Sequence, residues 1–369
     1  MALIAGIDFG SSLIKATSGG MDFINPAMIG EFNEGWSGTG ADPSWDNNAC
    51  IHVGLDQNNQ VYKQYFGELA RMQSEVKRML TKGGLIADPA DVELAVKVVL
   101  AVLGIKTKNI DENNPGIQEM ECVVTVGVPV STGVEKMKAV SQALKGTKEL
   151  VLENDFSKKV VQVRMNITSV MVVYGPYGSY WSMMQEFNEA SAVDAVVTDI
   201  GFGSAEILTL YAGRPSNIAS ASIGDLSLET LANRIAIQLQ TQTGRIVRGV
   251  DLMRLLQQGK NTAIIQGEAM DIGPIKKYYI EQIAKTLTDE IVALVSRLPP
   301  DARVKYYIFT GDGVDLFWKD LETLLYQKNL IQDINQAAHP KDYKISNARG
   351  FEQIARARAV KTSQENAGT

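Results

Sequence analysis

Two short apolar runs, at 3–7 and 195–197, have strand length and are cut off by the same kind of polar sequence. The first leads into Asp8-Phe9-Gly10-Ser11-Ser12-Leu13-Ile14-Lys15, the second into Thr198-Asp199-Ile200-Gly201-Phe202-Gly203-Ser204-Ala205-Glu206. Strand-like sequence resumes after each, so the pattern predicts two β-hairpins, each with an acid just before a Gly/Ser tip. Further strands are predicted at 61–65, 122–130, 160–166, 207–210, 218–221 and 306–309. Helical spacing follows Asp88-Pro89, where proline sits just inside a cap, and runs through Val92, Ala95, Val98, Val99 and Val102. Other helices are predicted at 133–143, 177–187, 226–240 and 275–298, and from Val314 onward. The polar stretches 33–48 and 111–115 read as loops, the first of them exposed.

Amides and hydroxyls at a hairpin tip are anion ligands, because N–H groups that point into a concavity bind phosphate oxygens. One Asp-x-Gly-Ser turn is equally an ordinary Gly/Ser hairpin. Two of them, with a third glycine motif at Thr310-Gly311-Asp312-Gly313, point to a polyphosphate and its metal ion.

Composition narrows the classes. The 369 residues allow two domains, and 45% hydrophobic with 21% charged residues is globular. Net charge is −6 with scattered Lys and Arg, so there is no footprint for direct nucleic-acid binding. Two cysteines, Cys50 and Cys122, and two histidines, His52 and His339, leave no Cys/His zinc site or disulfide framework. A reducing cytoplasm is therefore expected, with Cys122 as core and no Cys50–His52 catalytic pair. No apolar stretch reaches the ~18 residues of a membrane span, and no membrane partner is expected. The last nine residues, 361–369, are polar and unlike an amphipathic anchor.

Five segments in order, Asp8-x-Gly10-Ser11-x-x-x-Lys15, Asp199-x-Gly201-x-Gly203-Ser204, Ser220-x-Ser222-Ile223-Gly224, Phe309-Thr310-Gly311-Asp312-Gly313 and Asn347-Ala348-Arg349-Gly350-Phe351, resemble the actin-like ATPases. Within that superfamily the chain is most similar to the plasmid-segregation actins of the ParM type and to archaeal actins. The resemblance implies an α/β actin-like ATPase fold of two RNase H-like lobes around a nucleotide cleft. Domain I would comprise 1–170 plus 340–369, and domain II 171–339.

The same resemblance implies ATP/ADP and Mg²⁺ as ligands. Asp8, Gly10, Ser11, Ser12 and Lys15 would meet the phosphates from one side, and Asp199, Gly201, Phe202, Gly203 and Ser204 from the other. Gly224, Asp225, Gly311, Asp312 and Gly313 would complete the nucleotide site, with Asp8 and Asp199 holding the metal through its waters. Asp199, Asp8 and Tyr177 fall at the catalytic positions. Bland readings remain beside these. Lys15 can be a solvated strand lysine, Asp8 and Asp199 can bond turn amides, and Asp312 can cap a helix.

Two positions depart from the family pattern. Asp312 stands where a second glycine is usual, and Pro176-Tyr177 stands where a proline precedes a water-activating acid. Tyrosine is no carboxylate base near neutral pH, so another group positions the water or hydrolysis is slow. The implied activity is an ATPase coupled to a homopolymeric filament that moves DNA, as a plasmid, through a DNA-binding adaptor. The alternatives are a small-molecule kinase on the same superfold and a non-polymerising actin-like scaffold.

Overall fold

A computed structural model describes residues 2–36, 42–55, 61–82 and 85–367. Residues 37–41 of the expected exposed loop and the last two residues of the polar tail lie outside them. The chain forms two compact units, Met1–Trp181 with Asn347–Thr369, and Ser182–Ser346.

The first unit is built on a ten-stranded sheet, numbered along the chain. Its order is β3 (Met21–Pro26), β2 (Leu13–Ser18), β1 (Leu3–Phe9), β10 (Ile117–Val128), β12 (Val160–Tyr174), β11 (Gly146–Asn154), β5 (Ala49–Leu55), β6 (Val61–Phe66), β4 (Met28–Glu31) and β7 (Lys77–Met79). A separate pair, β8 (Thr81–Lys82) and β9 (Leu85–Ile86), lies off this sheet. Strand β1 pairs parallel with β10 and antiparallel with β2. Helices α1 (Glu68–Gln73), α2 (Pro89–Lys106), α3 (Val134–Leu144), α4 (Pro176–Glu186) and α9 (Ser346–Ala367) accompany the sheet, with the end of α4 belonging to the second unit.

Proline at its first turn starts α2, and apolar residues then follow on almost every side. A helix apolar all round must be enclosed. Val92, Ala95, Val98, Val99, Leu100 and Leu103 are fully buried accordingly. Each such Val or Leu contributes roughly 1.5–3 kcal/mol of burial.

The second unit carries a six-stranded sheet: β15 (Arg214–Pro215), β14 (Ala205–Tyr211), β13 (Asp194–Ile200), β19 (Val304–Thr310) and β20 (Ala337–Ala338), with β16 (Ala221–Ile223) also on β14. Strands β17 (Thr262–Ile265) and β18 (Glu268–Asp271) form a hairpin beside it. Its helices are α5 (Leu228–Thr243), α6 (Gly249–Gln257), α7 (Gly273–Val295) and α8 (Val314–Gln327). The helix predicted at 275–298 is α7, and Ile280, Ile283, Leu287, Ile291 and Leu294 lie on its buried face.

Several readings change. The strand expected at 218–221 is a 3₁₀ turn, Asn217–Ala219, and β16 begins only at Ala221. Helix α5 starts at Leu228 rather than 226, because the Ser227 side chain accepts a hydrogen bond from the Thr230 amide and caps it there. In the loop expected to be exposed, Trp45 and Asn48 are buried, and the Trp45 indole donates to Glu112 at 2.7 Å. A Gly/Asn/Trp-rich stretch reads as solvated from composition, but one indole N–H with a partner suffices to draw it inward.

Both cysteines are free and buried, and burial pushes each thiol up to about 12. Only thiolates react quickly, so an aromatic disulfide reagent should titrate neither cysteine in the native protein and both in denaturant. Rapid native labelling would contradict the burial. His52, two residues from Cys50, instead meets Glu153 at 2.8 Å.

That Glu153 carboxylate is buried in the sheet and also takes Lys63 at 2.6 Å. His52 first, then Lys63, hold its pKa down at about 2, against burial, from an ordinary value of 4.5. A carboxyl depressed on folding stabilises the native state above its unfolded pKa and loses that contribution as pH falls through the folded one. Glu153→Gln should therefore cost about 1–3 kcal/mol at pH 7. In denaturant titrations the gap to wild type should close between about pH 4.5 and pH 2.

Candidate functional site: two acid-led hairpin tips

In each unit the acid is the next-to-last residue of a strand with a parallel neighbour on one side and its own hairpin partner on the other. Asp8 on β1 registers with Gly127 on β10 and Lys15 on β2. Asp199 on β13 registers with Thr310 on β19 and Glu206 on β14. The tips close alike: the Gly10 amide donates to the Leu13 carbonyl at 3.0 Å, and the Gly201 amide to the Ser204 carbonyl at 2.9 Å. The duplication read from the sequence is thus one of register and turn closure, reached with different side chains.

At the first tip Gly10, Ser11 and Ser12 are half-buried. The Thr81 hydroxyl donates to the Gly10 carbonyl, and the Ala27 amide to the Ser12 carbonyl at 2.8 Å. Lys15 is only 9% exposed and Asp8 8%, which removes the solvated-lysine reading. Facing each other across the β1–β2 pair, they place a buried cation beside a buried carboxylate. Asn347, at the start of α9, donates to Asp8 Oδ2 at 3.3 Å, and the Ser179 hydroxyl donates to Asn347 Oδ1 at 2.5 Å. A Cβ on Gly127 would stand 3.2 Å from Asp8 Oδ1, and one on Gly175 3.6 Å. The Asp8 carboxylate therefore lies beside the bare backbone of Gly127, where a Cβ would crowd it.

At the second tip the amides that open α5 grip the turn. Leu228 donates to the Gly201 carbonyl at 3.2 Å and Glu229 to the Phe202 carbonyl at 2.9 Å. Phe202 sends its ring onto the hydrophobic core of the unit, so only its backbone serves the tip. Glu206, 9% exposed, accepts on one oxygen from the Ser204 hydroxyl at 2.8 Å and from Ser222 at 2.6 Å. Gly224 lies close by, its Cβ position 3.8 Å from the Gly203 carbonyl, while Asp225 next to it is exposed.

The Gly311-Asp312-Gly313 turn lies directly against Asp199 and Ile200. A Cβ on Gly311 would meet Asp199 Oδ1 at 2.1 Å and the Ile200 carbonyl at 2.7 Å, and its φ of +87° is one that L side chains rarely adopt. The Gly313 amide donates to the Ile200 carbonyl at 2.9 Å. Gly313, not Asp312, is the cap residue of α8.

The structure brings Asp199, Gly201, Phe202, Gly203, Ser204, Gly224, Gly311 and Gly313 together in the second unit. Asp8, Gly10, Ser11, Ser12 and Lys15 gather in the first. Tyr177 opens α4 with its ring stacked on Tyr180 at 5.8 Å, edge-on to Trp181, and packed on the Val173, Phe351 and Ile354 cluster. Sequence reasoning gave no role to Asn347, Glu206, Gly127 or Gly175. Glu206 was legible, since the residue opposite an acid across a hairpin shares its face; the contact of Asn347 with Asp8 spans 339 positions and was not. Among the described residues no three or more His, Cys, Asp or Glu are grouped to hold a metal.

The fold has known counterparts. Residues 6–178 match the family model of the actin-like proteins' N-terminal domain. The archaeal actin homologue Ta0583 superposes with a TM-score of 0.70 at 18% identity over 96% of this chain and 99% of that one. The fold is that of the actin-like proteins. Alp7A, an actin-like protein, matches with a TM-score of 0.72 at 14% identity, covering both chains in full. The ParM of a 15-stranded filament from Clostridium botulinum matches at 0.65 and 14% identity, over 96% of this chain and 99% of that one. Ta0583 has also been solved in complex with ADP. No curated protein matches. The actin-like resemblance read from five motifs therefore extends across the chain. Among the described residues no helix is long and apolar enough to cross a membrane.

Proposed function

We propose that this chain is a nucleotide-dependent, filament-forming actin-like ATPase. The observation that carries the reading is the repeated acid-led tip, one in each unit, within an actin-like fold. The ligand is ATP or ADP. Ser11 and Ser12, on the turn that the Gly10 amide closes, donate to phosphate oxygens, and Lys15 neutralises their charge. In the second unit Gly203 and Ser204 line the phosphates on a turn that the Gly201 amide closes, while Gly311 and Gly313 admit the adenosine to bare backbone.

The two carboxylates suit Mg²⁺, a hard cation that prefers oxygen ligands and keeps several waters. Asp8 and Asp199 each lie against glycine backbone that a Cβ would fill, and they are the residues that would hold it. When bound, the metal supplies charge neutralisation to the phosphates. Asp199 orients the attacking water, and the remaining catalysis is positioning and charge stabilisation. Tyr177 supplies no carboxylate, so turnover is slow and nucleotide binding is the stronger function.

Polymerisation follows nucleotide binding, and the filament moves DNA through an adaptor, because the scattered basic residues give the chain no grip of its own. The archaeal homologue with ADP and the ParM filament support the nucleotide and the polymer respectively. Pelleting and negative-stain imaging with ATP, a non-hydrolysable analogue, ADP and no nucleotide test the reading. Filaments with ATP or the analogue and fewer with ADP are expected. Tight ATP binding with no polymer at high protein concentration and low salt would shift the assignment to a kinase or a monomeric switch.

A further inference from the structure

The segment just before α9 folds back over the adenosine turn, and neither hairpin tip explains why. The Tyr343 carbonyl accepts from the Gly311 amide at 3.2 Å and from the Thr310 hydroxyl at 2.8 Å. It therefore holds both the last residue of β19 and the first glycine of the turn. The Tyr343 phenol donates in turn to Asp315, on the first turn of α8 immediately beyond Gly313. Lys344 pairs with the other Asp315 oxygen at 2.9 Å and lies 5.8 Å from the centre of the Tyr343 ring. His339 stands edge-on to that ring at 5.3 Å and to Trp318 of α8 at 5.0 Å.

One residue thus grips the glycine turn at both ends, by main chain before it and by side chain after it. The phenol remains a donor at neutral pH. Its bond to Asp315 comes first among the causes that push its pKa up to about 12, and the Asp312 charge acts in the same direction.

We propose that Tyr343 is a positioning residue for the nucleoside half of the ligand: together with Asp315 it clasps the Gly311–Gly313 turn in the conformation that receives adenosine. The inference rests on the nucleotide-binding reading above and adds a division of labour to it. The phosphate tips fix the triphosphate; the clasp sets how well the nucleoside is held. Removing the phenol oxygen deletes no group of either tip and slackens the adenosine turn.

The test compares ATP with inorganic tripolyphosphate, both with Mg²⁺, by calorimetry or competition against a fluorescent ATP analogue. Variants are Tyr343→Phe, Asp315→Ala and the pair together. Tyr343→Phe should weaken ATP roughly 5- to 20-fold, as expected for a lost bond to a charged acceptor, and leave tripolyphosphate within twofold. Because both residues act through one bond, the double variant should bind ATP no more weakly than the weaker single. Equal weakening of the two ligands, or ATP affinity within twofold of wild type, overturns the clasp and leaves the nucleotide reading standing. Wild-type protein that binds neither ligand overturns the nucleotide reading, and the clasp with it. A clasp that merely stiffens the fold would lower the melting temperature without changing the ratio of the two affinities, which also overturns the proposal.

Discussion

Gly311→Ala is expected to abolish nucleotide-dependent sedimentation and to weaken ATP binding at least tenfold, while the protein still folds. The residue sits at φ +87°, where an L side chain costs about 1–2 kcal/mol before any contact is made. Its Cβ would also stand 2.1 Å from a carboxylate oxygen of Asp199 and 2.7 Å from the Ile200 carbonyl. The Asp199 side chain can swing away, the Ile200 backbone cannot, so the turn and the acid must both move. Those are the groups assigned to the adenosine and to the metal, so the damage falls on the ligand. The three atoms nearest the added methyl belong to Asp199 and Ile200, not to the buried residues Tyr307, Ile308, Phe309 and Phe317. Gly133→Ala, at the cap of α3, is the matched control. A Cβ there meets nothing within 4 Å, and ATP affinity should stay within about threefold. If Gly311→Ala sediments with ATP as wild type does, the turn does not carry the nucleotide.

What could be read in the chain beforehand depended on the range of the interaction. The hairpin tips were legible because an acid, a glycine and hydroxyls follow one another within a few residues, and strand alternation fixes which side chains share a face. The helices α2 and α7 were legible from apolar spacing, and the start of α5 was misplaced by two residues because a serine cap outranked the apolar pattern. Nothing local announces that Asn347 will bond Asp8, or that Tyr343 will hold Gly311. The hairpin at 262–271 was missed for another reason: Gln266-Gly267 is a weak turn signal beside such a short apolar run. Lys15 shows the opposite case. Its spacing in a motif argued for function, its residue type argued for solvent, and its burial opposite Asp8 removes the solvent reading.

Gly350→Ala is the substitution expected to cost most in stability, about 3 kcal/mol or more in urea unfolding. Gly350 lies on the first turns of α9, and a Cβ there would stand 1.8 Å from the backbone carbonyl of Gly178 on α4. Backbone cannot rotate aside as a side-chain tip can, so the two helices must separate. The crossing is tight from the other side as well, since a Cβ on Gly178 would meet the Asn347 carbonyl at 2.2 Å. Strand β1 enforces it a third time: a Cβ on Gly6 would lie 2.1 Å from the Ala348 carbonyl. Only bare backbone on three elements lets α9 reach this depth. That depth is what brings the Asn347 amide to Asp8 and the Phe351 ring against the Gly127 backbone. Gly178→Ala should therefore destabilise the first unit comparably. The double variant should cost less than the sum, because once the helices have parted the second methyl meets little. Both single variants should also bind ATP more weakly than their loss of stability explains, since Asp8 loses the donor that orients it. Additive costs with unchanged ATP affinity would mean that the crossing only packs the fold and does not set the first tip.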